Sequence, residues 1–162
     1  MSLLDLEVNQ KNYIKILIFC IIVVCAILVA YYISLLTYKT YTLEEGTSVA
    51  NIGEQDMNVH IDILEHQKGD IAIEIAGWAY KENEKIKTIN SSYVLKNTET
   101  GEMYLLRTRY EDNINVPEEY KKAGLHARAI VIGIPEGRYD IHVLYKNNKH
   151  NVLANTGIHV DI

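Results

Sequence analysis

Two arginines near the middle of the chain have the spacing of an anion-binding pair. Arg107 and Arg109 alternate along a predicted strand and are followed directly by Tyr110. Side chains two residues apart on a strand project from the same face, about 6–7 Å apart. Two guanidinium groups at that separation can bind an acidic glycan or a phosphate. The alternative is a solvated strand edge whose arginines pair with nearby carboxylates such as Glu111.

Two aromatic residues, Trp78 and Tyr80, also alternate along a predicted strand. Aromatic rings suit the C–H faces of sugars, so the pair is a candidate platform for carbohydrate stacking. The alternative is a tryptophan buried in the core, as β-sandwiches commonly have. Gly77 suggests a bulge that re-aims Trp78. The candidate ligand-binding residues are therefore Arg107, Arg109, Tyr110, Trp78 and Tyr80.

Histidine and aspartate recur two residues apart at three places in the chain. Such a step keeps both side chains on one face of a strand, here the outward face. If the three pairs gathered in space, they would form a metal site or a pH-sensitive patch; otherwise they are three separate polar faces. We expect no metal site and no cofactor. The pairs are His60/Asp62, Asp140/His142 and His159/Asp161.

The sequence contains none of the motifs that mark common catalytic sites. It has no Gly-x-Ser-x-Gly, no His-Glu-x-x-His and no phosphate-binding loop, and both cysteines lie in an apolar run. Nucleophilic catalysis requires a nucleophile beside a base, together with an oxyanion hole. We therefore predict that the protein is not an enzyme and has no catalytic residues.

The charge of the chain is mildly acidic, with a formal net charge of −5 and both signs mixed along its length. Binding to nucleic acid requires a concentrated basic face, and binding to anionic lipid requires a polybasic segment. Neither is present, so nucleic acid is excluded as the expected partner.

The apolar run from Ile16 to Leu36 contains no charged residue. Its length of about 21 residues lets a helix cross the hydrocarbon core of a bilayer, and we assign the transmembrane helix to residues 14–36. Lys11 and Lys15 precede the run, whereas acidic residues follow it. The positive-inside rule therefore predicts a cytoplasmic N-terminus, an extracytoplasmic C-terminal domain and a single-pass location in the cell membrane.

The two cysteines, Cys20 and Cys25, both lie within this run. The rest of the chain has no disulfide, unlike most small extracellular animal domains, and its composition favours a bacterial envelope protein. A cleaved signal peptide or a lipoprotein signal is the alternative to an anchor. The run is longer than the usual apolar region of a signal peptide, and Phe19 and Val24 stand where a lipoprotein signal has a small residue. We interpret both cysteines as packing residues, with acylation of Cys20 as an alternative.

After a polar stretch, residues 37–56, which we interpret as a connector, the apolar period changes to two. In the first predicted strand Val59, Ile61 and Ile63 point inward, as do Ile71, Ile73 and Ile75 in the second. The segment Val116–Gly124 has the punctuation of a helix of one or two turns. The predicted strands are Asn58–Glu65, Ile71–Tyr80, Ile89–Lys96, Glu102–Tyr110, Leu125–Ile134, Arg138–Lys146 and Val152–Asp161.

Seven short strands joined by turns predict an all-β domain, a seven-stranded antiparallel immunoglobulin-like sandwich over residues 57–162, preceded by one transmembrane α-helix. Tyr139, which follows a Pro-Glu-Gly turn at a strand start, is interpreted as a structural tyrosine of the corner type.

The domain also carries a run of motifs that resembles a known module: IEIAGWAY, SSYVLKN, MYLLRTRYEDN, AGLHARA and IPEGRYDIHVLY. Together they resemble an immunoglobulin-like β-sandwich module of bacterial envelope proteins, often attached to cell-surface polysaccharide enzymes. The resemblance covers about Asn58–Ile162 and implies a sandwich fold without catalytic residues. Here the module stands on an anchor, with no enzyme domain in the chain.

The sequence therefore favours a membrane-anchored, non-catalytic binding or scaffold module outside the cytoplasm. Its expected ligand is an envelope polysaccharide or a membrane-protein partner. The alternative is a structural subunit of an envelope complex that uses the transmembrane helix as part of its interface.

Overall fold

The structure, a computed structural model, describes residues 3–35, 38–51, 53–84, 90–147 and 150–162, and in the helix the side chains of residues 12–33. The chain divides into two compact units, Met1–Leu35 and Leu36–Ile162. The first is one α-helix, α1 (Leu3–Leu35). Its segment Asn12–Ile33, of 22 residues, is exposed and is long and apolar enough to cross a membrane. This agrees with the predicted span, whose last residue, Leu36, lies outside the described residues.

Within the described residues, the second unit has ten strands and one short 3-10 helix, Glu118–Ala123. The strands are β1 (Tyr38–Tyr41), β2 (Ser48–Asn51), β3 (Met57–Glu65), β4 (Ala72–Lys81), β5 (Ser92–Asn97), β6 (Met103–Leu106), β7 (Thr108–Glu111), β8 (Gly124–Ile130), β9 (Arg138–Lys146) and β10 (Asn151–Asp161).

The strands form two sheets. The six-stranded sheet has the order β1-β6-β5-β9-β10-β2, and the four-stranded sheet has the order β3-β4-β8-β7. Neighbours pair antiparallel, except that β2 runs parallel to β10. The predicted class, mostly β with one N-terminal helix, is thus confirmed, whereas seven purely antiparallel strands are not what the chain forms. The predicted start of the third strand, Ile89, lies outside the described residues.

The core lies between the two sheets. Period-two alternation places one apolar row of each strand inward, because successive side chains of a strand point to opposite faces. Tyr93 of β5 reaches across the core, where its hydroxyl donates to the backbone carbonyl of Leu125 in β8 at 3.3 Å. The inward rows of the central strands include Ile73, Ile75, Leu95, Ala127, Ile141 and Val143, each at most 1 % exposed.

The segment 37–56 differs from the predicted connector, because it supplies β1 and β2. These four-residue strands extend the six-stranded sheet at opposite edges, so residues 42–47 must cross the sheet between them. Glu44 in this crossover contacts Lys146 at 2.6 Å and Asn151 at 3.3 Å, both on the outer face. A second apolar cluster lies on that face and is also buried: Val94, Leu144 and Leu153. The burial of this apolar cluster explains why the polar residues 42–47 fold onto the outer face of the sheet.

A β-bulge in β3 corrects two details of the predicted strands. The register shifts between Ile61, opposite Gly77, and Ile63, opposite Ala76, so the extra residue is Asp62. The bulge therefore lies in β3, not at Gly77, and it turns Ile63 outward, where it is 43 % exposed. A Cβ at position 77 would lie 2.1 Å from the carbonyl oxygen of His60. Glycine is thus required there by the close approach of the two backbones.

Candidate functional site

The structure does not place the two predicted anion-binding arginines on one strand. The predicted strand Glu102–Tyr110 breaks at Arg107, between β6 of one sheet and β7 of the other. Both arginines are exposed. However, the regular spacing expected on one strand does not apply, because the chain changes sheet between them. Neither glycine nor proline marks the position where the chain passes from one sheet to the other. The alternation of apolar residues alone therefore could not predict the break at Arg107.

Tyr110, the third candidate of this group, has its hydroxyl directed into the domain. The hydroxyl donates to the backbone carbonyl of Ser91 at 3.2 Å, and burial raises the pKa of the Tyr110 side chain. The residue as a whole remains 44 % exposed. Its ring can therefore border a surface site, although its hydroxyl is already used.

Trp78 and Tyr80 lie on the outer face of the four-stranded sheet. In β4, Ile73, Ile75 and Ala79 face the core, and residues of the other parity face away from it. Both aromatic residues remain partly exposed. The alternative of a tryptophan buried in the core is therefore wrong, and the sugar-stacking interpretation stays a prediction.

These two rings belong to a longer aromatic row, which comprises His60, Trp78, Tyr80 and Tyr120. His60 stacks with Trp78 at a centroid distance of 5.6 Å, and Trp78 stacks with Tyr80 at 5.4 Å. Tyr120 lies 4.1 Å from Tyr80 with an angle of 10° between the ring planes. Trp78 thus has two stacked neighbours, His60 and Tyr80, and its side chain remains partly exposed.

Three different elements position the aromatic row. Cross-strand pairing sets His60 of β3 opposite Trp78 of β4. Neighbours of this kind lie close enough for their side chains to touch. The 3-10 helix supplies Tyr120, which is 8 % exposed and whose hydroxyl accepts a hydrogen bond from the backbone N–H of Asn83 at 2.9 Å.

A polar cluster lies on the same outer face, next to the aromatic row. His126 of β8 is its centre: its Nε2 is 2.8 Å from Oε1 of Glu74, and its Nδ1 is 2.7 Å from Oε1 of Glu111. Arg109 places its Nη2 2.8 Å from the same Nδ1. Arg128 lies 3.7 Å from Glu74. The cluster therefore joins β4, β8 and β7 through one imidazole ring.

The Nδ1 atom of His126 faces both a donor and an acceptor. A neutral ring can accept from Arg109 at Nδ1 while Nε2–H donates to Glu74, whereas a protonated ring can donate to Glu74 and Glu111. Arg109 and Glu111 thus compete for one nitrogen. Within the part of the chain that the structure describes, no group of three or more His, Cys, Asp or Glu side chains can hold a metal ion.

A surface cleft of about 540 Å³ adjoins the polar cluster. It is formed by the β3–β4 hairpin together with Glu74 and Arg128. His66 lies in its lining and places Nδ1 2.9 Å from the backbone carbonyl of Ala72. Ile71, predicted to point inward, is instead 65 % exposed in this lining, because it precedes the first residue of β4. The outer face thus contains the aromatic row and the polar cluster, with the cleft at the end of the sheet.

The three predicted His/Asp pairs do not form one site. His60 and Asp62 lie in the four-stranded sheet, 3.7 Å apart, and the other two pairs lie in the six-stranded sheet. There, cross-strand pairing joins members of different pairs, with Nδ1 of His159 2.5 Å from Oδ1 of Asp140. His142 is 2 % exposed, and burial, helped by the charge of Lys96, lowers its pKa to about 4.

Glu74, His126 and Tyr120 were missed as candidate residues. Glu74 and His126 could have been found from the sequence, because each lies at an outward-facing position of a strand whose inward residues are apolar. Tyr120 reaches the face only through the placement of the 3-10 helix, which no local period indicates.

Comparisons with known protein families, with curated proteins and with solved structures find no match for this chain. The arrangement of its own side chains is therefore the basis for a functional proposal.

Proposed function

We propose that the protein is a membrane-anchored, non-catalytic module that binds an envelope polysaccharide through the outer face of its four-stranded sheet. The observation that carries this proposal is the partly exposed row of His60, Trp78 and Tyr80 beside the polar cluster around His126. Sugars offer C–H faces and hydroxyl groups to a protein. The aromatic row suits the first, and the carboxylate, guanidinium and imidazole groups suit the second.

The arrangement of the strands supports an immunoglobulin-like interpretation of the domain. The order β3-β4-β8-β7 against β6-β5-β9-β10 corresponds to the A-B-E-D and C′-C-F-G sheets of that fold. In the position of strand F, the hydroxyl of Tyr139 donates to the carbonyl of Pro135 at 2.8 Å. A tyrosine at this corner makes the same kind of backbone bond in immunoglobulin-like domains.

The anchor accords with a role at the cell envelope. The helix segment Asn12–Ile33 is apolar enough to cross a membrane, and Lys11 and Lys15 favour a cytoplasmic N-terminus. In that orientation the β domain would lie outside the cytoplasm, on the side where envelope polysaccharides occur.

The test is binding of the full chain, held in lipid nanodiscs, to an array of cell-envelope and defined oligosaccharides. Two variants at one position separate ring stacking from bulk: Trp78→Leu keeps an apolar side chain but loses the ring, and Trp78→Phe keeps a ring. We expect Trp78→Leu to weaken binding about three- to tenfold, the equivalent of roughly 0.5–1.5 kcal/mol for a lost aromatic contact. Trp78→Phe should retain most of the affinity.

A control substitution on a different surface is Ile132→Ala, at a position that is 67 % exposed and outside the four-stranded sheet. It should leave binding unchanged. If Trp78→Leu bound the same sugars as strongly as the unaltered chain, the outer face would not be the binding surface. A protein partner that co-purifies with residues 1–37 alone, in the absence of any glycan binding, would instead favour the structural-subunit alternative.

A further inference from the structure

We infer that the aromatic row selects a polysaccharide that carries free amino groups, such as a deacetylated hexosamine polymer, over acidic or fully acetylated polymers. This inference rests on the proposed function and names the chemistry of its ligand. It follows from the charged residues around the aromatic row and from the contacts that the nearby arginines make with other residues of the protein.

Carboxylates surround the aromatic row. Asp62 lies 3.7 Å from His60, and Glu82 lies 3.2 Å from Asn58, the residue paired with Tyr80. Burial raises the pKa of Tyr80, and the charges of Glu82 and Glu119 raise it further. Glu111 occupies the row of the sheet that contains Trp78, separated from it by Gly124, which has no side chain. Carboxylates therefore border the row, with Asp62 in contact with His60 and Glu111 in contact with His126, while Lys121 and Lys122 follow Tyr120 in the 3-10 helix.

Ammonium groups are attracted by both parts of this surface. The π faces of tryptophan and tyrosine attract a cation, and a carboxylate beside the ring adds a charge–charge contact. Trp78 and Tyr80 are stacked on neighbouring rings but remain partly exposed, so an ammonium group can contact the row from the solvent side. An acidic polymer would instead meet like charge, which costs affinity.

The two arginines of the face, Arg109 and Arg128, do not offset this preference. Arg109 donates to His126, and Arg128 lies beside Glu74, so both guanidinium groups face partners within the protein. They also belong to the strands on the far side of β4 from His60. An acidic ligand would have to separate these groups from their partners before it could bind them. The polar cluster is thus better suited to accept hydroxyl groups than to bind an anionic chain.

The test compares two oligosaccharides with one backbone, a β-1,4-linked glucosamine hexamer and its fully N-acetylated form, on the full chain in nanodiscs of uncharged lipid at pH 6. A polygalacturonate oligomer is the acidic probe. We expect the amino form to bind about fivefold more tightly than the acetylated form and the acidic probe to bind most weakly. Because the preference is electrostatic, it should shrink as the salt concentration rises.

The double substitution Glu82→Gln/Glu119→Gln removes two charges and leaves the rings in place. It should bring the two hexamers to within about twofold of each other without weakening the acetylated one. The matched control, Glu99→Gln/Glu136→Gln, removes two exposed carboxylates from turns outside the four-stranded sheet and should retain the preference.

The outcomes separate the two proposals. Equal affinity for both hexamers, with binding still weakened in Trp78→Leu, would overturn the amino-group preference and retain the binding module. A preference that is unchanged in the Glu82/Glu119 variant would also overturn the inference, because the carboxylates would not be its source. Binding of any of these probes that does not respond to Trp78→Leu would overturn the proposed binding surface itself.

Discussion

Replacement of His142 by leucine should remove a large part of the acid sensitivity of the fold. His142 lies on the outer face of the six-stranded sheet, 2 % exposed, and neither of its ring nitrogens has a hydrogen-bond partner among the described residues. Its neighbours across the sheet are Val94 and Asn155. A protonated imidazolium in this position would be a buried charge without a partner, so the folded protein favours the neutral ring.

The size of the effect follows from the two pKa values. Burial, with a smaller contribution from Lys96, lowers the pKa of His142 from 6.5 to about 4. Between these values the unfolded chain binds a proton that the folded chain does not, so stability falls as the pH falls through this window. Below about pH 4 both states are protonated, and no further loss arises from this residue. Between pH 7.5 and 4.5 the loss is about 2.5 kcal/mol.

The measurement is urea unfolding of the full chain in detergent micelles, followed by the fluorescence of Trp78, its one tryptophan. His142→Leu should lose about 2.5 kcal/mol less stability than the unaltered chain between pH 7.5 and 4.5, since leucine does not titrate. Ile132→Ala, at a non-titrating position that is 67 % exposed, is the control and should keep the original slope. Parallel pH profiles for the unaltered chain and His142→Leu would refute the assignment of a buried neutral imidazole.

Two further substitutions test the close approach of β3 and β4 beneath the candidate surface and the hydrogen bond of Tyr139 at the start of β9. Gly77→Ala should destabilise the domain by about 3 kcal/mol in the same unfolding assay, because its Cβ would lie 2.1 Å from a backbone oxygen of His60; unchanged stability would show that β3 and β4 do not approach so closely. Tyr139→Phe should cost about 1–2 kcal/mol by leaving the carbonyl of Pro135 without its partner. An unchanged free energy of unfolding in Tyr139→Phe would count against the corner bond.

The alternation of apolar residues predicted most of the sandwich because each of these strands has one face in the core. The sixth predicted strand, Arg138–Lys146, has the bounds observed for β9. In β9 the inward residues, from Tyr139 to Tyr145, form an uninterrupted period-two series. The apolar alternation of this strand and the turn residues that end it are neighbours in sequence. The sequence alone is therefore enough to predict where the strand begins and ends.

The first two strands could not be predicted in this way. Each has four residues and contributes little to the core: in β2, only Ala50 is buried. Their backbone hydrogen bonds are made with β6 and β10, which are distant in sequence. Short edge strands of this kind depend on the sheet that they join, and their own composition resembles that of a polar connector.

The candidate surface was predictable in part. Alternate residues of β4 point to opposite faces of the sheet, so Trp78 and Tyr80 point away from the side of Ile73 and Ile75. This alternation alone indicates that the two aromatic residues lie on the outer face. The expectation of a bulge at Gly77 obscured it, since the extra residue belongs to the partner strand. Residues that meet across strands, such as Glu74 and His126, could be assigned an outward face from sequence but not a common position, because register is a property of the folded sheet.

The distribution of side-chain size along β4 bears on why the aromatic row exists. At the end of the strand that pairs with the start of β3, the inward residues are the small Gly77 and Ala79, whereas the outward residues are Trp78 and Tyr80. A strand shaped by packing alone would gain more from the reverse order, because burying a large apolar side chain between the sheets contributes most to stability. The large rings stand instead where they can be contacted from outside, stacked on His60 and Tyr120 and bordered by carboxylates. This placement is what the proposed binding surface requires, and it is the feature that the Trp78→Leu substitution tests.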